Sequence, residues 1–96
     1  MSTDVQPTRK YATSSDAYLK IINEANDAVD AYRFAKAKKT IELLAPDNPP
    51  PGFKKPTEIM LGALLDTDQN LIVLRRARDA KLAILAVAKA ELGGLE

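Results

Sequence analysis

Asp66-Thr67-Asp68-Gln69-Asn70 is the densest set of oxygen donors in this chain. Its D-x-D-x-N order matches the opening of an EF-hand loop, where alternate side chains wrap a hard cation. The match ends there. The sixth position, a glycine in such loops, is Leu71, and the twelfth, a bidentate glutamate, is Ala77. The segment is predicted to start a helix instead. Asp66 would be the N-cap, and Gln69 three residues on has capping-box spacing. No metal and no cofactor is assigned.

Nucleophilic chemistry is poorly supplied. The chain has no histidine and no cysteine, which removes the common nucleophile–base pairs and most zinc ligand sets. The only serines are Ser2, Ser14 and Ser15, in or beside a polar N-terminal segment. No glycine-rich phosphate cradle occurs, and Glu91 is the one carboxylate isolated in an apolar stretch. The expectation is a protein that is not an enzyme.

Basic residues cluster at Arg9-Lys10, at Lys36 to Lys39 and at Arg75-Arg76-Ala77-Arg78. Arg75, Arg76 and Arg78 are the candidates for a phosphate-backbone contact in a nucleic-acid-binding regulator. Three features oppose that reading. Arg75 has Asp79 at i+4, Lys38 has Glu42 at i+4, and lysines late in a helix suit its dipole. The formal net charge is only +1, too small for a strong global pull on nucleic acid or anionic membrane. Nucleic acid and membrane are therefore not the expected partners.

These residues need elements to hold them, and the elements are helical. Residues 1–13 are polar and aperiodic and are predicted to be a flexible arm. Residues 14–96 are predicted to form one helical domain. A first helix spans 14–45, opened by the Thr13 to Asp16 cap cluster and stopped by Pro46. Residues 46–56 hold five prolines and are predicted to be a stiff connector anchored by Phe53. A short helix covers 57–65, mostly buried, with Gly62 marking the close approach of a neighbour. A long helix covers 67–92, ended by Gly93 and Gly94. The fold class is all-α: an antiparallel hairpin of two long helices plus a short one.

The first helix carries a seam of Tyr18, Ile22, Ala25, Val29 and Tyr32, which meets lysine where it should continue. A second seam of Phe34, Ala37, Ile41 and Leu44 begins about half a turn away, at ~100° per residue. With no Pro or Gly at the switch, the two halves are expected to face different neighbours.

The last helix is apolar on more than one side. Leu71, Leu74, Leu82, Leu85 and Leu92 fall on one stripe, and Val73, Ala77, Ala80, Ile84 and Val87 on another. One neighbour covers one stripe of ~100° or a little more. A bilayer is excluded as cover for Ala80–Leu92, because a span needs about twenty apolar residues. A protein interface is therefore expected, using Phe34, Ile41 and Leu44 of the first helix. From the last helix it would take Leu71, Val73, Leu74, Ala77, Ala80, Leu82, Ile84, Leu85 and Val87. The partner is a homo-oligomer mate or a larger protein. The composition fits a small assembly subunit, such as a phage virion or assembly component. A small inhibitor or adaptor that binds one host protein is the other protein-binding alternative. The N-terminus has no apolar core of a secretory signal. The expected location is the cytoplasm or an assembled particle.

Overall fold

The computed structural model describes residues 9–93. It is all-α: α1 spans Ser15–Leu44, α2 Glu58–Thr67 and α3 Gln69–Gly93. The first eight residues of the predicted arm, and Gly94 of the predicted C-terminal stop, lie outside the described residues.

Local chemistry sets each helix boundary. The Ser14 hydroxyl accepts the Ala17 N–H at 3.0 Å and caps α1. At the other end Ala45 N–H donates to Ile41 O at 2.8 Å, and Pro46 prevents further growth. Thr57 caps α2 by accepting the Met60 N–H at 3.2 Å. Asp68 separates α2 from α3 and serves both. Its N–H donates to Leu65 O at 3.4 Å. Its carboxylate accepts the Leu71 N–H at 2.9 Å. The expected Asp66–Gln69 capping box does not form. α2 runs two residues further than predicted, so Asp66 and Thr67 lie in its last turn.

The connector is less extended than its proline content suggests. Phe53 N–H donates to Pro50 O at 3.0 Å across Pro51-Gly52. Gly52 takes φ +78°, the left-handed conformation that a type II turn needs at its third position. This turn folds the segment back, and Phe53 stays partly exposed.

α1 and α3 pack antiparallel. Tyr11 meets Glu91, Glu24 meets Lys81, and Lys39 meets Asp68. Position on α3 falls as position on α1 rises. α2 touches one end of both long helices. The seam on α3 is Leu71, Leu74, Arg78, Lys81, Leu85 and Ala88, spaced 3, 4, 3, 4, 3. On α1 it runs through Tyr18, Ala25, Tyr32 and Lys39. α1 does not break at Arg33, and its seam does not jump to Phe34. It continues through Ala35 and half-buried Lys39, whose ammonium lies 3.6 Å from the Asp68 carboxylate. The helix dipole explains little of the lysine run, because α1 has no basic residue in its last turn, where that effect acts.

The resulting core is thin. Among the described residues the buried apolar ones are Ala12, Ala25, Leu71 and Ala88, and three of those four are alanines. The molecule measures 78 × 23 × 19 Å with a radius of gyration of 20.4 Å. A compact chain of this length would have about 12–13 Å. The accessible surface is 7425 Å². A compact monomer of 10.5 kDa exposes about 5,400 Å².

α2 departs from its predicted burial. Ile59 is 86% exposed, and Met60 and Leu64 are also exposed. A ten-residue helix laid on one end of a hairpin covers one face only, so a continuous apolar run leaves the rest in water. Among the described residues nothing lies within 4 Å of a Cβ placed on Gly62, so none of them supplies the expected close neighbour. Gly62→Ala should therefore stabilise the protein by about 0.5–1 kcal/mol, by reducing the freedom of the unfolded chain. Thermal denaturation of both proteins checks this, and a lower melting temperature would contradict it.

Candidate interaction surface

Arg78, Asp68 and Glu91 are engaged in holding the hairpin. Arg78 lies in the α1–α3 seam. Its guanidinium carbon sits 4.5 Å from the centre of the Tyr32 ring, a cation–π contact, and it pairs with Asp79 at 2.9 Å. Asp79 thus serves Arg78, where the i+4 spacing had matched it to Arg75. Of the arginine cluster, Arg76 is exposed, Arg75 half-buried and Arg78 committed to the seam. The cluster is split around the helix and does not form one basic face. Asp68, from the calcium-like segment, is taken up by the Leu71 N–H and Lys39.

Glu91 also has a structural use. Its Oε1 accepts the Tyr11 N–H at 3.0 Å and the Ala12 N–H at 2.9 Å. Tyr11 N–H also reaches Oε2 at 3.3 Å. A carboxylate in the last turns of a helix sits at the negative end of its dipole. The backbone donors of the incoming segment offset that. Residues 10–12 of the predicted flexible arm are thus tied across the end of α3, with Ala12 fully buried. The Ala12 hydrogen bond, first, then those of Tyr11 and Lys10 and the charge of Arg9, hold the Glu91 carboxyl below its ordinary 4.5 against desolvation. Docking therefore favours the deprotonated form. Its contribution is complete above pH 4.5 and disappears as pH falls below that, through the lowered value. The protection of the Tyr11 and Ala12 amides, measured as observed exchange relative to the intrinsic rate at the same pH, should fall over that acid range, and in Glu91→Gln already at neutral pH. Unchanged exchange in the variant would refute the tie.

The predicted interface residues separate into two groups. Leu71 is only 3% exposed and belongs to the intramolecular seam. Leu74 and Leu85 are half-buried in that seam, and Leu44 is half-buried near the end of α1. The others remain partly or largely in water. Phe34 is 75% exposed, Ile41 65% and Val73 61%, and Leu82 and Val87 are exposed as well. Ala77 and Ala80 are exposed and Ile84 half-buried.

Helical geometry orders the exposed residues. Ala35, Lys38, Glu42 and Asn70 line one shallow recess of about 250 Å³, so they share one side of the hairpin. Seven residues make almost two whole turns of a helix. Stepping by sevens places Ile21 and Ala28 on the same flank of α1 as Ala35, and Ala31 with Lys38. On α3 the same step places Ala77 and Ile84 with Asn70. Val73, Ala80 and Val87 lie beside them. The result is one two-helix face of small and β-branched residues. Its charged residues near the centre are Glu24 and Lys81, paired with each other at 3.1 Å. Phe34 and Ile41 point the other way, about half a turn from the α1 seam at ~100° per residue. Phe34 and Ile41 therefore lie on a different side of the hairpin from the Val73 stripe.

The α1 flank of this face carries little signal in the sequence. Ala28, Ala31 and Ala35 carry too little apolar weight to stand out, and only the position of α3 makes them neighbours of the Val73 stripe. Ile59 and Met60, in the short helix expected to be mostly buried, lie exposed.

The fold is thus a two-helix hairpin with a short third helix at one end. No protein-family model, no curated protein and no solved structure matches the chain. Among the described residues no helix is long and apolar enough to cross a membrane.

Proposed function

We propose that this chain is a small, non-enzymatic structural subunit that completes its core against another protein chain, in the manner of an assembly component. The observation that carries the reading is the surface. The chain exposes 7425 Å² where a compact protein of its mass exposes about 5,400 Å². Large apolar side chains on all three helices, Phe34, Ile41, Ile59 and Val73, are each more than 60% exposed. The side chains best suited to chemistry, Glu91, Asp68 and Arg78, support the same reading because each holds two parts of the hairpin together. A phage virion or a particle assembled in the cytoplasm is a setting consistent with the composition.

The test is the cooperativity of the isolated chain. A species shown by sedimentation to be monomeric should melt broadly, and addition of its partner should raise the midpoint by mass action. A sharp two-state melt of a verified monomer would overturn the proposal.

A further inference from the structure

Building on the reading above, we infer that the partner is a second copy of this chain, seated on the Ala28–Ala80 face. α1 would run antiparallel to its copy, and α3 antiparallel to its copy. Three observations carry this. The first is area. Over the whole chain, connector and α2 included, the surface exceeds that of a compact monomer by about 2,000 Å², enough to supply the about 800 Å² that each partner contributes to a standard interface. The second is charge. Glu24 and Lys81 close on each other at 3.1 Å within the chain, so the centre of the face needs no opposite charge from a partner.

The third is the order of side-chain sizes, which is self-complementary about two alanines. Val73 and Val87 stand seven residues either side of Ala80, and Ile21 and Ala35 seven either side of Ala28. A two-fold axis between Ala28 and Ala80 sets Ala80 against its own copy and Val73 against the copy's Val87. Ile84 then meets the neighbourhood of the copy's Ala77, and Ile21 that of Ala35, large against small. Small residues at the centre let the helices approach to the 8–10 Å of ordinary helix packing. Two hairpins closed this way form a four-helix bundle with isologous symmetry.

Sedimentation equilibrium at micromolar concentration tests the inference on three proteins. The wild type should weigh twice the 10.5 kDa chain. Ala80→Arg puts an unpaired charge on the axis and should weaken association by at least about tenfold. Phe34→Arg, on the other side of α1, should leave the dimer intact. The chain has no cysteine, which permits a second measurement independent of how well Ala80→Arg folds. Ala80→Cys should oxidise to a covalent dimer, while Asp27→Cys, away from the face, should not. Several outcomes overturn the inference. A monomeric wild type with a broad melt rejects the second copy but leaves the need for some other partner standing. A monomeric wild type with a sharp melt rejects both. Dimer loss in Phe34→Arg but not Ala80→Arg, or cross-linking at Asp27 but not Ala80, rejects this face.

Discussion

Replacing Leu71 with alanine should destabilise the protein by about 2–4 kcal/mol, the lower part of the range for a buried leucine. Among the described residues, Leu71 is the one large side chain of the four that are apolar and buried, and its truncation removes substantial volume. It sits at the start of α3 beside Asp68, where all three helices converge. The recess next to it, lined by Ala35, Lys39 and Asn70, is open to water, which limits the cavity cost. In a fold with so thin a core, a loss of this size is a large share of the total, since whole domains have only about 5–15 kcal/mol. Urea titration followed by circular dichroism measures it. Leu19→Ala, exposed on α1, is the control and should fall within about 0.5 kcal/mol of wild type. Equal effects of the two substitutions would show that Leu71 is not the anchor of the hairpin.

The second large effect is expected at Asp68. Removing an N-cap carboxylate costs about 0.5–2 kcal/mol. Here Asp68 also faces Lys39 at 3.6 Å and interrupts two helices. The ion pair adds little, because pairs this exposed contribute about 0–1 kcal/mol. Asp68→Ala should therefore lose about 1–2 kcal/mol, most of it from the cap. Asp68→Asn, which keeps a capping oxygen and discards the charge, should recover most of the loss. Asp66→Ala lies in the last turn of α2 and should be close to neutral, because alanine favours helix and a negative charge near a helix C-terminus does not. The reverse ranking, with Asp66 costly and Asp68 neutral, would restore the capping box expected from spacing.

That pair of aspartates illustrates where local patterns mislead. Both Asp66 and Asp68 are good N-cap types, and both precede an apolar periodic run. The capping-box spacing favoured Asp66. The cap falls on Asp68 because α2 gains two more residues, and because a cap there also meets Lys39 across the hairpin. The lysine is almost thirty residues away in sequence, so no local rule could include it. Glu91 is a similar case with a better signal. It stood out as the single carboxylate in an apolar stretch, but its partners, the backbone N–H groups of Tyr11 and Ala12, have no side-chain signature.

The lysines at 36 and 39 conceal the seam of α1 in the sequence. Two charges on an expected seam suggested that the apolar face had moved to Phe34 and Ile41. The helix carries its seam onward through Ala35 and Lys39, because one small residue and one lysine with a carboxylate opposite suffice where α3 begins. Phe34 and Ile41 are left in water.

The helical class and the order of elements are written in the chain locally. Cap hydroxyls at Ser14 and Thr57, Pro46, and periodic apolar residues act within a few positions of one another, and such short-range forces are written in the local residues. The excess of apolar faces on α3 belongs to this level too, since it follows from spacing alone. The tertiary structure decided which faces meet. Arg78 and Lys81 enter the α1–α3 seam because Tyr32 and Glu24 stand opposite. The Val73–Val87 stripe stays outside and joins Ala28 and Ala35 in one surface. Pairing of faces depends on groups far apart in the chain, and only their placement in space brings those groups within reach.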